Sequence, residues 1–165
     1  MTVLSDSSPL ITLAKIGHLD LLPQLYETIT ITPEVHAEVV VSGAGLAGSS
    51  QISTAQWIRV KPVRNPAILT AAQQRLGLGI GELSIIALGR EWLADVVLID
   101  DRKARKVAQE EGLAVLGCVG VLQDAFGMKL LPDLPGAYRR LLDSGAYIDR
   151  ALLENILKTF NLPPL

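Results

Sequence analysis

The run VVLID at residues 96–100 narrows the possible folds of this chain more than any other feature. It is short and apolar up to its final aspartate, which is the pattern of a strand buried on both faces of a sheet. The charged segment DRKARKVAQEEG follows and predicts a helix that ends at Gly112, and a second apolar run, LAVLG, comes next. This order predicts two parallel strands joined by a crossover helix.

The same alternation of strands and helices runs along the whole chain. We expect further strands or extended segments at residues 2–5, 28–32 and 57–63, and helices at 8–16, 19–25, 33–42, 66–76, 81–92 and through most of 119–157. Alternating elements of this kind pack as a parallel sheet with helices on both faces. We therefore expect an α/β fold of three layers around a central parallel sheet.

Length and composition limit the class of protein. At 165 residues the chain can form one full core, and we expect a single domain over residues 1–165. Hydrophobic residues make up 49% and charged residues 19%, so either both faces of the sheet are buried or a partner covers part of the surface. No apolar run approaches the roughly 20 residues of a membrane span. The first residues also lack the basic region of a signal peptide, so we expect a cytoplasmic protein with no membrane contact.

The stretch HAEVVVSGAGLAGSS contains Gly43, Gly45 and Gly48 in the spacing of a dinucleotide-binding turn. Such a turn needs a strand before it and an acidic residue about 20 positions later to hold the ribose. The chain has no Asp or Glu between Glu38 and Glu82, and a helix is expected where the strand should lie. We interpret residues 42–50 as a flexible loop of small residues, which argues against a dehydrogenase.

Acidic residues follow the predicted strands where parallel strands end. Asp6 follows the first strand, and Asp100 and Asp101 close the run VVLID. Glu82 begins one predicted helix and Glu38 lies on another. Helix capping and the helix dipole explain such carboxylates without any further function. Alternatively, carboxylates gathered in one cleft repel each other and can hold a hard cation, Mg²⁺ or Mn²⁺, which activates water against a phosphodiester. The residues alone leave both interpretations open.

Other polar residues offer weaker signals. Cys118 is the only cysteine, so it forms no internal disulfide, and we expect a buried thiol. The net charge of −2 gives no overall attraction to nucleic acid. Arg102, Lys103 and Arg105 nevertheless cluster on one predicted helix, either as a solvated face or as contacts to phosphate groups.

Four stretches carry a family resemblance through their order and spacing. They are LSDSSPLITLAKIGHLDLLPQLY, TPEVHAEVV, LGLGIGELSIIALG and VLIDDRKARKVAQEEGLAVLG. Together they resemble the PIN-domain nucleases, in particular the bacterial and archaeal branch near the VapC-type toxins. The resemblance covers about residues 3–157.

The resemblance implies a Rossmann-like sheet and a ribonuclease that depends on Mg²⁺ or Mn²⁺. It implies a catalytic and metal-binding set of carboxylates at Asp6, Glu38, Glu82 and Asp101. Ser8 matches the small polar residue that supports this set, and Asp100 replaces the usual Ser or Thr. Which of Asp100 and Asp101 faces the metal is therefore open. On the same basis, Arg102, Lys103 and Arg105 are candidates for contacts to the RNA backbone.

The resemblance also implies an RNA substrate, a homodimer, and a small antitoxin-like protein as inhibitor. Two features depart from the family pattern, namely the loop at residues 42–50 and a helical C-terminal extension from about residue 138. Both departures leave open a catalytically weak PIN-like module that binds nucleic acid or another protein.

Overall fold

The computed structural model describes residues 1–165 and contains one five-stranded parallel sheet. The strands are β1 (Val3–Ser5), β2 (Ile29–Ile31), β3 (Ile58–Val60), β4 (Val96–Leu98) and β5 (Val115–Leu116). Their order across the sheet is β3-β2-β1-β4-β5, and every neighbouring pair is parallel. Helices flank this sheet, which confirms the predicted three-layer α/β fold.

Ten helices complete the fold. They are α1 (Ser7–Lys15), α2 (Leu21–Tyr26), α3 (Pro33–His36), α4 (Ser49–Thr54), α5 (Ala67–Leu76), α6 (Ile80–Trp92), α7 (Arg102–Glu110), α8 (Cys118–Gly127), α9 (Leu134–Asp143) and α10 (Arg150–Thr159). No helix is long and apolar enough to cross a membrane.

The core is one cluster of 37 buried apolar residues. The central strands β1 and β4 contribute side chains that are almost fully buried, because helices cover both faces of a parallel sheet. Gly89 brings α6 close to the sheet, since a Cβ atom there would lie 3.2 Å from Val97 and 3.1 Å from Leu113. This packing fixes the position of α6, whose first turn carries Glu82.

The strand order changes direction between β1 and β4. From β1 the chain adds β2 and β3 on one side of the sheet, and β4 and β5 then extend the other side. In open parallel sheets, functional groups collect outside the carboxyl ends of the strands at such a reversal. The main-chain N–H of Asp6 donates to the carbonyl of Leu98 at 2.9 Å, so Asp6 lies at this reversal point beside the end of β4.

Two local expectations are wrong. We expected the first helix to begin at residue 8, but α1 begins at Ser7, with Asp6 in the N-cap position and an extended backbone there. We also expected a regular helix over residues 33–42, but α3 gives way after His36 to a π-helical turn, Ala37–Val41. The wider turn changes the direction in which Glu38 projects, and π-helical turns often occur at functional sites.

The glycine segment connects this π-helical turn to α4. Gly45 and Gly48 both have positive φ angles, which suits glycine at a turn. Helix α4 begins only after Gly48 and is six residues long. A π-helical turn therefore stands where a dinucleotide-binding turn requires a strand.

Candidate active site

Asp6 is the most perturbed carboxyl group at the reversal point. Its side chain is 2% exposed, and its Oδ1 atom is buried with no hydrogen-bond partner. Burial is the main reason that its pKa rises from 3.8 to about 7, and the negative charges of Glu82, Glu38 and Asp100 add to the rise, while the Ser7 amide opposes it. Four carboxylates therefore lie within electrostatic reach of one another, although they come from distant parts of the chain.

Glu38 reaches this cluster from the π-helical turn. Its Oε2 atom accepts a hydrogen bond of 2.6 Å from the Ser7 hydroxyl, and its Oε1 atom accepts one of 3.1 Å from the Gly81 N–H. A Cβ atom at Gly81 would collide with this carboxylate, so glycine is required for the close approach. Glu38 thus joins the start of α1 to the start of α6.

Glu82 lies in the first turn of α6. Its Oε2 atom accepts a 3.0 Å hydrogen bond from the Gly79 N–H, as in a capping box. Burial is the main reason that the pKa of Glu82 is raised. The Gly79 hydrogen bond and Lys103 act to lower this pKa, whereas Asp101 and Glu38 act to raise it. Glu82 therefore lies between Glu38 and the end of β4.

Asp100 and Asp101 have different surroundings. Asp100 is half-buried, and both of its carboxyl oxygens are bonded to Cys118: Oδ1 accepts from the main-chain N–H at 2.7 Å, and Oδ2 accepts from the thiol at 3.0 Å. Asp101 is exposed and caps α7 by accepting a 2.8 Å hydrogen bond from the Ala104 N–H. Cys118 is a free, buried thiol, as expected.

The starts of four helices converge on these carboxylates. Asp6 occupies the N-cap position of α1, while the first turns of α6, α7 and α8 donate main-chain hydrogen bonds to the other acidic side chains. The positive end of a helix dipole favours negative charge, and the first N–H groups of a helix need acceptors. The helix starts therefore offset part of the repulsion between the carboxylates.

The donor atoms suit a hard divalent cation. They are all carboxylate oxygens, which Mg²⁺ and Mn²⁺ prefer over nitrogen or sulfur ligands. Asp6 offers a buried oxygen without a partner, and Glu82 and Asp101 each have one oxygen outside any hydrogen bond within the protein. No three acidic, His or Cys side chains stand close enough to form a ready-made metal group. Side-chain rotation is therefore needed before three of them can bind one ion.

Comparison with known proteins shows the family of this chain. A family model described as a PIN domain, DUF3368, matches residues 2–162. The chain belongs to the PIN-domain family. PIN domains are generally nucleases, and the family implies a nuclease-type fold.

A solved structure supports the fold of this PIN domain. The crystal structure of PAE2754 from Pyrobaculum aerophilum is similar to it, with a TM-score of 0.51 and 15% sequence identity. The similarity covers 79% of this chain and 96% of that chain. At this identity the likeness shows the fold alone. No curated protein matches the chain.

In this PIN domain Ser7, and not Ser8, donates a hydroxyl hydrogen bond to the acidic cluster. Ser8 was expected in that role, but its side chain is exposed and makes no hydrogen bond, whereas Ser7 donates to Glu38. The sequence DSS offers two adjacent candidates, and only the true start of α1 decides between them. Because α1 begins at Ser7, the Ser7 hydroxyl lies against Glu38 and the Ser8 side chain lies in solvent.

A basic groove adjoins the acidic cluster along α7. It has a volume of about 660 Å³ and is lined by Asp101, Arg102, Lys103, Arg105, Lys106 and Gln109. Arg102 and Lys103 are exposed. Arg105 differs because its Nη1 atom donates a 3.0 Å hydrogen bond to the Ile99 carbonyl, which ties it to the end of β4. Of the three predicted phosphate contacts, Arg102 and Lys103 are thus the ones with free side chains.

Proposed function

We propose that this PIN domain is an endoribonuclease that depends on Mg²⁺ or Mn²⁺. The observation that carries the proposal is the buried, unpartnered oxygen of Asp6 in the midst of three other carboxylates. Burying a carboxyl group without a partner costs stability, and clustered carboxylates add to that cost. A bound cation compensates for both effects.

Three carboxylates have an oxygen available for a cation, namely Asp6, Glu82 and Asp101. Glu38 and Asp100 complete the negative site while their hydrogen bonds hold them in place. A divalent ion held there would supply charge neutralisation and would activate a water for attack on a phosphodiester. Because its pKa is about 7, Asp6 gives up a proton when the ion binds near neutral pH.

Positive side chains beside the site supply the contact to RNA. Arg102 and Lys103 lie in the groove that begins at Asp101, so a phosphate group held there brings the neighbouring phosphodiester to the carboxylates. The chain has a net charge of −2, so binding depends on this local positive patch rather than on overall attraction.

A second function, a catalytically weak binding module, is favoured by the hydrogen bonds of the cluster. Main-chain N–H groups at helix starts donate a hydrogen bond to four of the five acidic side chains, and these carboxylates therefore stabilise the fold even without a metal. In this alternative the same fold binds nucleic acid or a protein partner without cleavage.

RNA cleavage separates the two functions. The purified protein is incubated with a mixed pool of structured and single-stranded RNA, and with a matched DNA pool, in Mg²⁺, Mn²⁺ or EDTA. Asp6→Asn and Glu82→Gln are compared with Asp143→Asn, an exposed residue on α9. We expect metal-dependent cleavage of RNA by the wild type and Asp143→Asn only. Equal inactivity of all proteins, with no metal effect on the melting temperature, would favour the binding module.

We further propose that the protein acts in the cytoplasm as the toxin-like component of a toxin–antitoxin pair and forms a homodimer. This proposal follows from the resemblance to the VapC branch. Induced expression should arrest growth, and co-expression of a small protein encoded beside it should restore growth and give a stable complex. Light scattering of the purified protein measures its oligomeric state. Normal growth during expression of a protein that is active in vitro would contradict the toxin role.

A further inference from the structure

Cys118 has a position that its expected role as a buried thiol does not explain. It begins α8, directly after β5, and its main-chain N–H and its thiol both contact the carboxylate of Asp100. The Sγ–Oδ2 distance is 3.0 Å, whereas the other acceptor near the thiol, the Pro9 carbonyl, is 3.7 Å away. The thiol is therefore directed at Asp100.

The Cys118 thiol is suited to donate a hydrogen bond to Asp100. Cys118 is fully buried, and its burial, together with the adjacent Asp100 charge, raises the pKa of the thiol well above its usual value. An S–H group is a weak donor, and a charged acceptor such as the Asp100 carboxylate strengthens its hydrogen bond.

Gly117 allows Asp100 to approach the start of α8 closely, because it has no side chain. A Cβ atom at Gly117 would lie 2.8 Å from Asp100 Oδ1 and 2.7 Å from Arg105 Nη1. Arg105 in turn holds the Ile99 carbonyl on the other side of Asp100. Asp100 is thus held by two hydrogen bonds, one from the main-chain N–H of Cys118 and one from its thiol.

Asp101, unlike Asp100, is held by few contacts. It makes one hydrogen bond, through Oδ1, and its side chain is exposed at the mouth of the basic groove. Its charge acts on Glu82, whereas the charge of Asp100 acts on Asp6. The adjacent aspartates therefore face different parts of the cluster, and only Asp101 has an oxygen outside any hydrogen bond.

We propose that Cys118 is a positioning residue that holds Asp100 as a fixed charge beside Asp6, and that Asp101 is the member of the pair that binds the ion. The inference rests on the proposed function, because it concerns the same metal site. It decides between the two aspartates, which the sequence could not do.

The first part of the test uses the metal-free protein. Because Cys118 is the only cysteine, its S–H stretching band in the infrared spectrum belongs to one group. We expect a hydrogen-bonded, low-frequency band in the wild type that moves to higher frequency in Asp100→Asn, since an amide accepts more weakly than a carboxylate. A band at the position of a free thiol in the wild type would overturn the inference.

The second part measures Mn²⁺ affinity by calorimetry. Cys118→Ala should lower the affinity about tenfold, as loss of a group that orients a metal-site carboxylate typically does. Cys118→Ser, which keeps a donor, should restore most of this loss. Val121→Ala, a buried change on the same helix, should lower the melting temperature without lowering the affinity.

The aspartate pair provides the final comparison. Asp101→Asn should weaken Mn²⁺ binding more than Asp100→Asn does. Three results would overturn the inference and leave the proposed function intact. The first is a larger loss of Mn²⁺ affinity in Asp100→Asn than in Asp101→Asn. The others are wild-type affinity in Cys118→Ala and an equal loss of affinity in Cys118→Ala and Cys118→Ser. A wild-type protein that binds no Mn²⁺ and cleaves no RNA overturns the proposed function itself.

Discussion

The buried carboxyl group of Asp6 makes the free energy of unfolding depend on pH. A carboxyl group with a pKa of about 7 in the folded protein and 3.8 in the unfolded chain prefers its protonated form when folded. Its contribution to stability is therefore fully present below about pH 4 and is lost as the pH rises towards 7. The metal-free protein should be less stable at neutral pH than at mildly acidic pH.

Asp6→Asn should remove this dependence, because an amide stays neutral at every pH. Each pH unit between the two pKa values contributes about 1.4 kcal/mol, so the metal-free variant should be more stable than the wild type at pH 8 by up to a few kcal/mol. Urea unfolding in EDTA between pH 5 and pH 8 measures the effect. Asp143→Asn should keep the wild-type dependence of the free energy of unfolding on pH. If Asp6→Asn also kept this dependence, a group other than Asp6 would be responsible for it.

Ser7 and Ser8 form a matched pair for a second prediction. Ser7→Ala removes the hydroxyl that donates to Glu38, so we expect a loss of about 1 kcal/mol in the free energy of unfolding and of about tenfold in cleavage rate. Ser8→Ala should change stability by less than about 0.5 kcal/mol, since Ser8 is exposed without a partner. Urea unfolding and RNA cleavage measure both. A larger loss in Ser8→Ala would restore the sequence-based assignment.

Individual residues were predictable where the strand pattern alone placed them. Asp6 and Asp100 follow runs whose apolar character marks a buried strand, so their location at the sheet edge follows from the sequence. The contact between Ser7 and Glu38 spans 31 positions and depends on the exact start of α1. Such long-range contacts leave no periodic signal in the sequence.

At the scale of elements, helix starts organise the site. Glu38 lies against the first turn of α6, and it can do so only because Gly81 has no side chain. The alternation of strands and helices predicted α6, but the π-helical turn that carries Glu38 was not predictable. Its sequence, AEVVV, is equally compatible with a regular helix, and packing against neighbouring elements decides the outcome.

Gly81→Ala tests this element contact. A Cβ atom would lie 2.6 Å from Glu38 Oε2, so the carboxylate must move away from the helix start. We expect a loss of about 1–3 kcal/mol in stability and at least a tenfold loss in cleavage rate. Gly127→Ala is the control, because a Cβ atom there has open space and alanine favours a helix. Equal stability and cleavage rate in both variants would contradict the close approach of Glu38.

At the scale of the whole molecule, charge is separated along one edge of the sheet. The chain is slightly acidic overall, yet its acidic cluster adjoins a groove lined by four basic residues of α7. The layered fold was predictable because strands and helices alternate along the chain, and the family was predictable from the resemblance of four sequence stretches. The direction of each basic side chain was not, as Arg105 shows by turning back to the Ile99 carbonyl.

Arg102→Ala and Lys103→Ala test the groove. Each change should weaken RNA binding and reduce the slope of log affinity against log salt by about 0.7, the value for one phosphate contact to a single strand. Fluorescence anisotropy in EDTA, which prevents cleavage, measures both quantities. Lys158→Ala, an exposed change on α10, should leave the slope unchanged. A slope unaffected by the first two variants would place the RNA elsewhere.

Binding of a divalent cation by Asp6 and its neighbouring carboxylates is tested by Mn²⁺ calorimetry near pH 7, in two buffers of different ionisation enthalpy. We expect the wild type to bind Mn²⁺ and to release protons, because the protonated fraction of Asp6 must ionise. Asp6→Asn should lose both the binding and the proton release, and Asp143→Asn should keep them. Binding that is unchanged in Asp6→Asn, or no binding by the wild type, would contradict this expectation.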